Sequence, residues 1–197
     1  MRILLLDNYD SFTWNLHHLL EPHAEVEVVM NDAITVEEAA RYDRIVLSPG
    51  PGLPAEAGIM PALLPRLMPS HPILGICLGM QALVEACGGK LFNQPKVQHG
   101  VSVACIPEPP LDPLFAGLAE PFEVGLYHSW AADPAGLPPA LRITARSAAG
   151  IIMAVRHTRF DACGVQFHPE SVMTPSGARM IRNWIEDGKV ERRKGVP

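Results

Sequence analysis

The residues best suited to covalent chemistry in this 197-residue sequence lie in the stretch PILGICLG, Pro72 to Gly79. Gly75, Cys77 and Gly79 form a G-x-C-x-G arrangement between an apolar run and a helix-like segment, the layout of a nucleophile elbow. The flanking glycines let a sharp turn form without clashes. The amino terminus of the following helix favours thiolate over thiol and offers the Leu78 N–H to a developing oxyanion. Taken alone, the same letters describe a buried cysteine beside a tight turn equally well, because cysteine is among the most buried residue types.

A second group is GVQFHPES, in which His168 and Glu170 end an apolar run and are separated by Pro169, which restricts the backbone between them. A thiolate nucleophile needs a base to move protons, and that base needs an acceptor to fix its tautomer. His168 and Glu170 can fill those roles, although an isolated HPE would more simply be a solvated loop. The third group is SPGPGLP, Ser48 to Pro54. Gly50 and Gly52 let backbone N–H groups approach a ligand, and the prolines stiffen the segment. It can supply a second oxyanion donor or be an ordinary turn; it lacks the lysine and Ser/Thr of a phosphate-binding P-loop.

The elements that must hold these groups follow a βα rhythm. Apolar runs at Arg2 to Asp7, Glu25 to Met30, Arg44 to Ser48 and Pro72 to Ile76 predict strands. Helices are predicted over Ser11 to Leu20, from a capping box at Thr35 and Glu38, over Gly58 to Met68 with a proline interruption, and over Leu78 to Cys87. Such alternation predicts an α/β fold with a mostly parallel central sheet flanked by helices and ligands at the carboxyl ends of its strands. After Lys90, the runs VSVACI, FEVGLYHSW, LRITARS, GIIMAVRH and CGVQFH predict additional strands extending the sheet in mixed or antiparallel fashion. A last helix is expected from an N-cap at Thr174 with Pro175 at its first position, running to Gly188 with Met180, Ile181, Trp184 and Ile185 inward. No repeat or linker divides the chain, so residues 1–197 are read as one domain.

Composition narrows the partners. Nearly half the residues are apolar and the net charge is −5, with basic residues sparse until the ERRKG tail at Glu191 to Gly195. No positive field gathers nucleic acid or anionic lipid, and no apolar run is long enough to span a bilayer. With no cleavable leader pattern after Met1, a cytoplasmic protein is expected. The four cysteines lack paired metal-ligand spacing, and Cys87, Cys105 and Cys163 read as reduced core thiols. The histidines at 17, 18, 23, 71 and 157 are scattered, so neither a metal nor a cofactor is expected.

SPGPG, GICLGMQ and GVQFHPES, in this order, together resemble the class I, or triad, glutamine amidotransferases. The opening DNYDSFTWNL, Asp7 to Leu16, is similar more narrowly to the small subunits of anthranilate and aminodeoxychorismate synthases. Carried over, the resemblance implies Cys77 as nucleophile, His168 as general acid and base, and Glu170 as its partner. The N–H groups of Gly52 and Leu78 would form the oxyanion hole. Gly50, Gln81, Ser129 and Trp130 would hold the amino-acid end of L-glutamine, with Pro51 among the substrate-binding residues. Tyr127-His128-Ser129 and His99-Gly100 match shorter family signatures. Met80, Leu126 and Trp130 depart from the histidine, arginine and leucine common in relatives, so glutamine affinity or partner coupling could differ. Nothing here looks able to bind chorismate, so a separate chorismate-binding synthase subunit is implied. A free-standing cysteine hydrolase or peptidase and a non-catalytic interaction subunit are the alternatives.

Overall fold

Alternation along the first strand sets the layering. In the computed structural model, β1 (Arg2–Asp7) sends Ile3 and Leu5 into one core and Leu4 and Leu6 into the other. Its two faces are both buried, as a parallel strand's must be. The first core is closed by Leu16 and Leu20 of α1 (Thr13–Leu20) and by Met180, Ile181, Trp184 and Ile185 of α5 (Gly177–Lys194). The second is closed by α2 (Val36–Ala39), α3 (Met60–Leu67) and α4 (Leu78–Ala86). The structure describes the backbone of residues 1–194 and the side chains through Asp187; the ERRKG tail lies outside the described side chains.

The remaining strands are β2 (Glu25–Met30), β3 (Arg44–Leu47), β4 (Ile73–Ile76), β5 (Leu91–Pro107), β6 (Phe122–Ala132), β7 (Leu141–Ser147), β8 (Ile152–His157) and β9 (Ala162–Val165). They form one nine-stranded sheet in the order β2-β1-β3-β4-β9-β8-β7-β5-β6. From β2 to β9 the neighbours are parallel; from β9 to β6 they are antiparallel. The last strand thus returns to the parallel half, with Ile76 opposite Val165. The chain turns one way from β1 to β2 and the other from β3 to β4, so β1 and β3 flank a topological switch point, where ligands of open α/β sheets bind. DNYDS follows β1, SPGPG follows β3, Cys77 follows β4 and His168 follows β9. Four adjacent parallel strands therefore present all the motifs at one end.

Several boundaries differ from the sequence expectations. α5 begins at Gly177, not at a Thr174 cap, because the Thr174 hydroxyl is committed elsewhere: it accepts from Gly125 N–H and donates to the His168 carbonyl. The helix also passes through Gly188 to Lys194. Pro65 does not interrupt α3; it lacks one donor in a helix whose Leu63, Leu64 and Leu67 remain buried. The Thr35–Glu38 capping box forms as expected.

Candidate active site

Cys77 sits between β4 and α4 with φ 52° and ψ −101°, a conformation rare for a residue with a side chain. Its N–H donates to Val165 O (2.8 Å) and its carbonyl accepts from Gln81 N–H (3.0 Å), so sheet and helix both clamp the turn. The glycines around it are there for space. A Cβ on Gly75 would strike the Gly79 carbonyl, and one on Gly79 would lie 2.5 Å from Leu47 O. Cys77 is 6% exposed at the amino terminus of α4, next to the Leu78 N–H.

The segment after β9 supplies the imidazole. His168 Nδ1 donates to Glu170 Oε1 (2.6 Å), both side chains being nearly or fully buried, which leaves Nε2 as the free ring nitrogen. Nε2 makes no hydrogen bond of full geometry to the described residues, yet the Cys77 sulfur acts on this ring. Burial pushes the His168 pKa down, but hydrogen bonding and charge from Cys77 and Glu170 outweigh it and raise it to about 10. That balance favours the charged form of the ring.

The same segment is held by contacts that short motifs do not reveal. His168 N–H donates to Gly125 O (3.1 Å), while Thr174 Oγ1 bridges the His168 carbonyl (2.6 Å) and the Gly125 N–H (2.9 Å). The ring packs edge-on against Tyr127 and Phe12, with centroids 4.9 and 6.1 Å away. Phe12 belongs to DNYDSF, which gives that motif a positional role. Its Asp10 lies close enough to His168 for the charges to interact, although burial is the larger influence and raises the Asp10 pKa. Asn8 of the same motif ties the switch point together: its N–H reaches Ser48 Oγ (2.9 Å) and its Nδ2 reaches Ser48 O (2.8 Å). A Cβ on Gly50 would lie 2.6 Å from Asn8 Cβ and 3.0 Å from Leu78 Cδ2, so Gly50 brings the SPGPG loop against both neighbours. Pro51 and Gly52 (φ +75°) are exposed beyond it, and Pro51 and Leu78 share a cleft of about 320 Å³ with Tyr9, Asn31 and Asp32.

Gln81, one turn into α4, donates through Nε2 to Trp130 O (2.9 Å) and Gln166 Oε1 (3.2 Å). Ser129 and Trp130 are half-buried on β6, and it is the Trp130 carbonyl that contacts Gln81. The two other departures are core residues: Leu126 is 2% exposed, and Met80 is fully buried against Gly164 of β9.

A sequence profile of the class I glutamine amidotransferases matches residues 4–187. The chain belongs to this family. It is 43% identical over 186 residues to aminodeoxychorismate synthase component 2 of Escherichia coli, covering 93% of this chain and 98% of that one. It is 44% identical to anthranilate synthase component 2 of Pseudomonas aeruginosa, covering 93% and 94%. The bifunctional protein TrpGD of Thermotoga maritima is 40% identical, and the chain spans 33% of its length. Among solved structures, a putative GMP synthase subunit from Thermoplasma acidophilum superposes with a TM-score of 0.86 at 25% identity, covering 98% of each chain.

This amidotransferase has three other thiols, all free. Cys105 and Cys163 are buried in strands, and burial pushes each up to about 12; Cys87, half-buried after α4, is raised by the same cause. Such thiols stay protonated and inert. Contrary to the scattered appearance of the histidines, His17 and His18 of α1 and Glu21 just after it bring ligand atoms within 4.8 Å of one another. There both imidazoles face the Glu21 carboxylate, at 3.5 and 3.8 Å, on a largely exposed surface. Among the described residues, no helix is long and apolar enough to cross a membrane.

Proposed function

We propose that this amidotransferase is the glutaminase subunit of a chorismate-using synthase, all 197 residues acting as one domain. The observation that carries the reading is the elbow at Cys77 beside the His168–Glu170 pair, in a chain whose relatives include component 2 of both aminodeoxychorismate and anthranilate synthases. The Cys77 thiolate attacks the carboxamide carbon of L-glutamine, and the Leu78 and Gly52 N–H groups stabilise the oxyanion. His168, charged at rest, gives its proton to the departing ammonia, and a γ-glutamyl thioester remains. The neutral ring then activates water, which releases glutamate and regenerates the thiolate. Glu170 holds the tautomer and balances the imidazolium.

Gln81 fits the amino-acid end of the substrate. Both its Nε2 hydrogens are taken by Trp130 O and Gln166 Oε1, which leaves Oε1 to accept from an α-ammonium group. Gly50, Pro51, Ser129 and Trp130 complete that pocket. Ammonia loses its nucleophilicity once protonated in bulk water, so the acceptor must be close. A separate synthase subunit carrying chorismate meets that need, and four free cysteines suit a reducing, cytoplasmic setting.

The test mixes the purified chain with anthranilate and aminodeoxychorismate synthase large subunits, chorismate and glutamine, and identifies the aromatic product. Cys77→Ala is expected to abolish glutamine-dependent synthesis while synthesis from ammonium salts persists. Product formation from glutamine by the variant would remove Cys77 from the mechanism, and hydrolysis of peptides by the chain alone would favour a free-standing hydrolase.

A further inference from the structure

Gln166, the first residue beyond β9, is fully buried, and its side-chain amide touches two parts of the site at once. Its Nε2 lies 3.5 Å from Cys77 Sγ, and its Oε1 accepts from Gln81 Nε2 at 3.2 Å. The amide orientation follows from the network: reversed, it would press its oxygen against the sulfur and set its NH₂ against the NH₂ of Gln81. The chain of bonds continues outward. Gln81 also donates to Trp130 O, and so does His128 Nδ1 (2.8 Å). His128 is kept neutral chiefly by burial, with a pKa lowered to about 4, so it serves as a fixed donor.

We propose that Gln166 is a positioning residue for the glutaminase reaction: its N–H holds the Cys77 sulfur in the attacking position, and through Gln81 that hold is linked to the bound amino-acid end of glutamine. The inference rests on the reading of Cys77 as nucleophile and Gln81 as substrate contact. A hydrogen bond to sulfur favours the anionic form and narrows the sulfur's range of positions at a residue whose backbone is already strained. When an ammonium group occupies Gln81 Oε1, it polarises the Gln81 N–H, and successive bonds in a buried chain strengthen one another. Substrate and nucleophile then stand at two ends of one relay. The titratable group that faces this nucleophile is His168 from the segment after β9, with Glu170 of the same segment, His128 of β6 and Asp10 of the loop after β1 acting through His168.

The test compares wild type with Gln166→Leu, Gln166→Glu and Gln81→Met, each with the partner synthase. Three quantities are read: kcat and KM for glutamine, synthesis from ammonium salts, and the pH profile of Cys77 alkylation by iodoacetamide without glutamine. Both Gln166 variants are expected to lose at least about tenfold in glutamine kcat, the lower end of what a lost oxyanion-type donor costs being about a hundredfold, with KM changed less and the ammonium reaction retained. The alkylation midpoint should move to higher pH in both, further in Gln166→Glu, and slightly in Gln81→Met because Gln166 loses its anchor. Unchanged alkylation profiles in the Gln166 variants overturn the proposal, and an unchanged profile in Gln81→Met overturns the relay. Should Gln166→Leu misfold, seen as a lost far-ultraviolet circular dichroism signal, the isosteric Gln166→Glu carries the same reading. Failure of the underlying assignment is separately visible, because alkylated wild type would then still use glutamine.

Discussion

His168 Nδ1 stands 2.6 Å from Glu170 Oε1 across a single proline, with both side chains all but sealed from water. Burial without a partner would leave the imidazole neutral; the carboxylate and the Cys77 sulfur reverse that preference. In the proposed reaction this short segment holds the proton given to the departing ammonia. Glu170→Ala should cost about 10²-fold or more in glutamine kcat, in line with the usual worth of general acid–base catalysis. Initial rates of glutamate release would measure it, and a loss confined to KM would contradict the role.

The same pair makes stability depend on pH. A group whose pKa is higher in the folded state adds stability that is complete below its unfolded value and is lost as pH rises through the folded one. For His168 those limits are 6.5 and about 10. Urea unfolding of wild type and His168→Asn should therefore show a margin in favour of wild type that is wide at pH 6.5 and narrows toward pH 10. A margin that widens over this range would mean that the imidazole is neutral in the folded protein.

Thr174 secures the histidine through its hydroxyl alone, reaching the His168 carbonyl and the Gly125 N–H at once. Thr174→Val keeps the shape and leaves two buried groups unpaired, for a cost of about 1–3 kcal/mol. The urea midpoint should fall, and glutamine turnover should fall with it while the ammonium reaction persists. A lower urea midpoint with unchanged glutamine turnover would make the hydroxyl a purely structural tie.

The elbow stores strain, because Cys77 holds φ 52° with a side chain attached. Strained residues of this kind cost about 1–3 kcal/mol. Cys77→Gly should accordingly unfold at higher temperature than Cys77→Ala, by about 2–4 °C for each kcal/mol recovered in a chain of this size. Differential scanning calorimetry compares two variants that both lack the thiol. Equal melting temperatures would place no strain at the turn.

Asn8 couples the loop after β1 to the loop after β3 through both its backbone N–H and its side-chain amide. Asn8→Ala removes the Nδ2 bond to Ser48 O and the acceptor for Asn31 Nδ2, freeing the SPGPG loop from one side. Glutamine kcat should drop by roughly tenfold or more, because a displaced oxyanion donor is worth about 10²–10³ when lost altogether. Steady-state kinetics with an unchanged kcat would detach DNYDS from catalysis.

What the sequence by itself determined was the family and the local settings of the candidate site. Gly75 and Gly79 on either side of Cys77, Pro169 between His168 and Glu170, and the glycines of SPGPG are backbone requirements imposed by immediate neighbours, so short spacing reveals them. The strand–helix alternation through Cys87 was legible for the same reason, since periodicity is a local property. The tertiary structure alone decided which distant segments meet. It placed β9 beside β4, which sets Gln166 against a sulfur 89 positions away in sequence. It turned Thr174 from a helix cap into a clasp on His168, packed Phe12 and Tyr127 edge-on against the imidazole, and used the Trp130 carbonyl to anchor Gln81. Those contacts depend on strand order and on how the β5–β6 end of the sheet brings Trp130 to α4, and no local spacing encodes a hydrogen bond between residues whose proximity exists only after the chain has folded.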